Sequence, residues 1–140
     1  MKIDPSLLAM RDINGYTDSD HARKTQFHRR GAAFLRDLAA AIGLEKGTFD
    51  VRSNKGGPAV SGEVTLHADK LYVQLSESFP GPGIGILYRS CNGRKDYSGG
   101  RNNQVKLADL QGDAGDHFIT QCRDLAELLA DNKYDQALNR

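Results

Sequence analysis

The chain has 140 residues, a formal net charge of +1, 39% hydrophobic and 26% charged residues. These proportions belong to a folded domain rather than a disordered chain, and the length allows one hydrophobic core but not two. No run approaches the ~20 apolar residues of a membrane-spanning helix, the amino terminus lacks the apolar stretch of a secretory signal, and Cys91 and Cys122 make neither a metal-ligand spacing nor a disulfide framework. The expectation is a cytoplasmic protein with no membrane partner, no metal and no cofactor.

The near-neutral total hides an asymmetry. Residues 21–36 carry Arg23, Lys24, Arg29, Arg30 and Arg36 with no acid, and residues 89–106 carry Arg89, Arg94, Lys95, Arg101 and Lys106 against Asp96 alone. From Leu107 onward seven acids face three bases, a local balance of −4. A basic surface and an acidic one on the same small body are implied.

Residues 1–16, with Pro5, Asn14 and Gly15, read as an irregular lead-in to a single α+β domain over 17–140. A helix follows: Thr17, Asp18 and Ser19 offer N-caps, and Phe27, Phe34, Leu38 and Ile42 share a helical stripe with Gly31 and Leu35 beside it. Arg29 and Arg36 fall on the opposite face, and Gly43 before Leu44 is a helix stop. Strands come next. TFDVRS alternates; AVSGEVTLH sets Val60, Val64 and Leu66 against Ser61, Glu63, Thr65 and His67; KLYVQLS sets Leu71, Val73 and Leu75 against Tyr72, Gln74 and Ser76. FPGPG (79–83) is a turn or loop. GIGILYRSC is a fourth strand of ambiguous parity, with Ile84, Ile86 and Tyr88 competing with Leu87 and Cys91 for the core. QVKLADL is a short strand or a turn. A closing helix capped by Asp116 presents Phe118, Cys122, Leu125 and Leu129. The predicted fold is an N-terminal helix, a three- to four-stranded antiparallel sheet and a C-terminal helix, with both helices on one face of the sheet and the other face wet.

Three places carry chemistry. On the wet face Arg52, Glu63, Thr65, His67, Tyr72 and Gln74 would project together, and an arginine beside an aromatic suits an unstacked base; the polar solvent face of any antiparallel sheet explains the same residues. The tip around Asn54, Lys55, Gly56 and Gly57 offers a cation and open backbone N–H groups, as would any glycine-bearing hairpin turn. The third is the loop RSCNGRKDYSGGRNN. There Arg94, Lys95 and Arg101 reach for phosphate, Tyr97 stacks, and Asn102 hydrogen-bonds, with glycines allowing close backbone approach.

These features favour a small non-catalytic binding protein that engages nucleic acid, or another phosphate-bearing ligand, through the basic loop. One alternative is an adaptor or inhibitor that contacts a protein of a nucleoprotein complex through its acidic C-terminal helix, with Asp124 and Glu127 as the contact. The other is a small enzyme using His67 and Glu63, which share a strand face. The four histidines show no ligand spacing.

Overall fold

A computed structural model describes residues 3–10, 18–54, 62–77, 83–97 and 99–127. Helix α1 is Pro5–Leu8, α2 Asp18–Ala41 and α3 Asp113–Glu127; strands β1 Phe49–Asn54, β2 Glu63–Ala68, β3 Leu71–Ser76, β4 Gly85–Ser90 and β5 Asn103–Lys106 form one antiparallel sheet in sequential order. This is the α+β arrangement that the sequence predicts, with one strand more. The fifth strand comes from QVKLADL: Asn103–Lys106 pairs with β4, and Leu107–Asp109 forms a 3₁₀ turn. The basic loop therefore follows no terminal strand. It is the β4–β5 connection, residues 91–102.

The helix α2 stripe is buried as its spacing dictates, Phe27, Phe34, Leu35, Leu38 and Ile42 all reaching the core. Each such side chain stabilises the fold by about 1.5–3 kcal/mol when fully withdrawn from water. The helix ends in a Schellman motif, Leu44 N–H donating to Ala39 and Gly43 N–H to Ala40, with Gly43 at φ 85°. Helix α2 crosses β2 and β3 closely at Gly31, where an added Cβ would meet Val64 Cγ2 at 3.3 Å. Helix α3 packs beside it over β3 and β4, with the Phe118 and Tyr88 rings edge to face at 5.0 Å.

Strand register sorts the sheet into two faces. Val51, Leu66, Val73 and Tyr88 form one row toward the helices, and Ser53, Val64, Leu75, Ile86 and Val105 the next. This settles the parity of β4: Ile86 and Tyr88 point into the core, and Leu87 lies half-buried on the other face. The stretch expected to be an irregular lead-in contains α1, capped by Asp4, with Ile3, Leu7 and Met10 in the core. The Lys55 tip, the 79–82 turn, Thr17 and Leu129 lie outside the described residues.

Candidate functional site

The sheet's second face is wet only in part. Its register places Asp50, His67, Tyr72 and Arg89 in one row and Arg52, Thr65, Gln74, Leu87 and Gln104 in the next. Of these, His67 is 0% exposed, Tyr72 and Arg89 4% and Thr65 5%. The predicted orientation of Arg52, Glu63, His67 and Tyr72 holds, but the expected exposure fails at His67 and Tyr72, because the β4–β5 connection folds back over the row that begins at Asp50; Arg52 and Glu63 stay half-exposed. A polar strand face read without knowledge of its neighbours has no means of showing a cover supplied by a later connection of the chain.

The cover is fastened at three points. Its root is Cys91, whose N–H donates to Lys70 and whose thiol donates to the Ala68 carbonyl at 3.3 Å. Burial pushes that thiol's pKa up. Its middle is a turn in which Gly93 at φ 134° and the Asp96 carboxylate, accepting from Asn92 N–H at 2.9 Å, reverse the chain. Its return passes Gly99, and Gly100 N–H donates to the Ser90 carbonyl at 2.9 Å. A side chain at position 99 would overlap Ser90 O and Arg89 Nη1. Glycine is required there by close approach rather than by backbone conformation.

Arginines join the loop to the sheet. Arg94 grips Asp50 with a two-pronged contact, Nε to Oδ2 at 3.1 Å and Nη2 to Oδ1 at 2.8 Å, and donates its remaining Nη1 to the Gly47 carbonyl at 2.8 Å. These bonds hold the Asp50 carboxyl below its ordinary pKa, Arg94's being the largest influence. Arg52 also donates to Asp50, at 2.7 Å, and reaches the Arg94 carbonyl at 3.1 Å and the Tyr97 hydroxyl at 3.2 Å. Both ion pairs are about one-third exposed, a setting in which a single pair contributes about 0–1 kcal/mol. Their value here is geometric: together they fix where the loop sits.

Under the loop lies an aromatic cluster. The His67 ring meets Tyr72 at 5.0 Å and Tyr97 at 5.1 Å, all edge to face, and the Arg89 guanidinium lies 4.4 Å above the Tyr72 ring. Arg52 Nη1 is 3.3 Å from His67 Nδ1. Arginine can only donate, so Nδ1 accepts and the ring hydrogen sits on Nε2. That nitrogen is buried without a partner. Burial lowers the His67 pKa and the adjacent Arg52 lowers it further, while the Gly93 and Asp96 carbonyls act in the opposite sense. Burial pushes the Tyr72 hydroxyl up to about 12.

The sequence-derived residues thus divide. Arg52, Arg94, Tyr97, His67 and Tyr72 converge; Lys95, Arg101 and Asn102 are exposed along the same loop. Arg94, expected to neutralise phosphate, is instead committed to Asp50. Glu63 stands two rows from His67 on the same strand, about 13 Å along it at ~3.3 Å per residue, so the two do not meet as an acid–base pair. Asp50 and Arg89 belong to the site although the sequence reading passed over Asp50 and counted Arg89 only as loop charge. The alternation F-D-V-R was the available signal, since it sets Asp50 and Arg52 on one side. The basic residues of α2 belong elsewhere: that helix packs on the opposite face of the sheet, where His28 Nδ1 meets Ser53 Oγ at 2.5 Å. The acidic helix α3 lies on that same opposite face, with Asp124 half-buried and Glu127 exposed. Among the described residues no group of three His, Cys, Asp or Glu converges as a metal site, and no helix is long and apolar enough to cross a membrane. No protein-family model, curated protein or solved structure matches the chain.

Proposed function

We propose that this chain is a non-catalytic nucleic-acid-binding protein that engages single-stranded segments through the β4–β5 loop. The observation that carries this reading is Tyr97. It is the one large hydrophobic side chain exposed among the described residues, at 61%, yet its ring is braced edge-on by His67 and Tyr72 and its hydroxyl is held by Arg52. A braced, outward aromatic loses little freedom when a base stacks on it, and such a stack contributes about 1–3 kcal/mol. Lys95 and Arg101 flank it on exposed backbone and serve the phosphates; Asn102 supplies a hydrogen-bonding amide.

The test is retention of single-stranded and duplex oligonucleotides at two salt concentrations. Single strands should bind at low salt and weaken as salt rises. Tyr97→Ala should weaken binding by about 1–3 kcal/mol with the salt slope intact, whereas Lys95→Ala should reduce the slope by ~0.7. Absence of binding at low salt refutes the reading.

A further inference from the structure

Two features under the loop are left unsatisfied by the closed structure. His67 Nε2–H is a fully buried donor that makes no well-formed hydrogen bond, although the Gly93 and Asp96 carbonyls lie near enough to raise the ring's pKa; a buried donor left in this way is a cost to the fold. Arg89 is a 4%-exposed cation whose partners are the Ser90 carbonyl at 3.1 Å and the face of Tyr72, neither of them an anion. A buried cation without a counter-charge is a standing penalty. Both lie in the row Asp50, His67, Tyr72 and Arg89, with the Arg52 guanidinium between the first two.

What the loop lays on this row is also informative. It supplies an aromatic ring, Tyr97, to His67 and Tyr72, and oxygen acceptors, the Arg94 carbonyl and the Tyr97 hydroxyl, to Arg52. A flat ring and a set of oxygens are what a nucleotide offers. The match is incomplete where a charge is wanted: the oxygens beside Arg89 and His67 are the Ser90, Gly93 and Asp96 carbonyls, all neutral.

Resting on the nucleic-acid reading above, we infer that the sheet face beneath the β4–β5 loop is a second binding surface for a nucleotide of the strand, with Arg52, His67 and Arg89 for its phosphate and Tyr72 for its base. The loop occupies that surface as a built-in competitor. Asp50 keeps it there, because it is the shared anchor of Arg94 and Arg52, and its negative charge also repels a phosphate from the same place. Neutralising Asp50 therefore releases the competitor and removes the repulsion while leaving Arg52, His67, Tyr72 and Arg89 unaltered.

The experiment measures binding of a short single-stranded oligothymidylate by fluorescence anisotropy at low salt, with hydrogen exchange of the 92–101 amides recorded on the same proteins. Asp50→Asn should exchange faster in the loop and bind about tenfold more tightly than the parent. Asp69→Asn is the charge control. It removes the same charge from the exposed β2–β3 turn, at the same end of the sheet, and should reproduce only a small part of the gain. Adding Arg89→Gln to Asp50→Asn should abolish the gain, and so, in a variant that keeps all arginines, should Tyr72→Leu. Equal affinities for Asp50→Asn and Asp69→Asn would overturn the inference, as would a gain that survives both second substitutions. A parent that binds without any gain in Asp50→Asn leaves the Tyr97 reading standing and ends this one. A parent that fails to bind while Asp50→Asn binds does the reverse, and no binding by either ends both.

Discussion

Gly99→Ala is the sharpest probe of the cover over the sheet. An ideal Cβ at this position overlaps the Ser90 carbonyl oxygen and Arg89 Nη1 and comes within 2.8 Å of Cys91 Cα. Two of these three atoms are backbone of β4 and its extension, so they cannot swing aside. Overpacking of this kind costs about 1–3 kcal/mol, and the Gly100 N–H bond to Ser90, 2.9 Å in the parent, adds about 1 kcal/mol when lost. Against this stands a gain of about 0.4–1 kcal/mol from the stiffer unfolded chain. The net is a loss near 2 kcal/mol, with a natural ceiling: the molecule escapes further strain by lifting the loop. A domain of this size should then melt about 5–8 °C lower, while the 92–101 amides exchange roughly 30-fold faster and those of β2 and β3 change only in proportion to global stability. Gly31→Ala is the contrast, because its Cβ meets side-chain methyls rather than backbone, Val64 Cγ2 at 3.3 Å and Leu75 Cδ1 at 3.4 Å, so a shift of a few tenths of an ångström accommodates it, and alanine regains ~1 kcal/mol of helix propensity. Its melting point should stay close to that of the parent. A Gly99→Ala protein that melts with the parent and keeps its loop amides protected would refute the docking argument outright.

Acid should loosen the loop in two stages. His67 has its folded-state pKa lowered by burial and Arg52, so the unfolded chain takes the proton first; stability is full above about pH 6.5 and declines as pH falls through that value. Asp50, lowered by Arg94, contributes above about pH 4 and loses its share below. Chemical denaturation followed across this range should show the upper step, and His67→Gln should remove it while the lower one persists. Tyrosine absorbance titration gives an independent check on burial: the Tyr72 hydroxyl should ionise only near pH 12, burial also delaying that of Tyr88, and Tyr72→Phe should delete the component near pH 12. If all tyrosines ionise together near their ordinary value, the sheet face is open to water.

How much of this was legible depends on how far apart the deciding residues lie. The α2 stripe from Phe27 to Ile42 and its Gly43 stop are written within one helix, and they are found where periodicity puts them. The alternation in β2 and β3 likewise sorts Val64, Leu66, Val73 and Leu75 from His67 and Tyr72 without any help from elsewhere. β4 was ambiguous because apolar residues sit on both of its faces, and only pairing with β3 decides that Ile86 goes inward. β5 is four residues long and gains its identity from Gly85–Tyr88 across the ladder. The burial of His67 was illegible for a stronger reason. It depends on Arg94 choosing Asp50, 44 residues away, as its partner, and no local pattern encodes that choice.

The same choice changes what the basic loop means. Counted along the chain, Arg89, Arg94, Lys95 and Arg101 look like one cationic patch, and α2 looks like its extension. In the fold they separate by role. Arg94 is neutralised by Asp50, Arg89 is sealed against Tyr72, and the α2 cations lie across the sheet on the helix side. Lys95 and Arg101 remain exposed beside Tyr97. A surface of this kind has too few outward charges to track a long polyanion by electrostatics alone, and two phosphate contacts give a salt slope of only about 1.4 for a single strand. If the proposed nucleic-acid reading holds, affinity would rest chiefly on stacking, since Arg52 is engaged by Asp50 and the loop and Arg89 is buried against Tyr72. The number of cations in RSCNGRKDYSGGRNN is thus a poor guide to its pull on phosphate; the position of Asp50 is the better one.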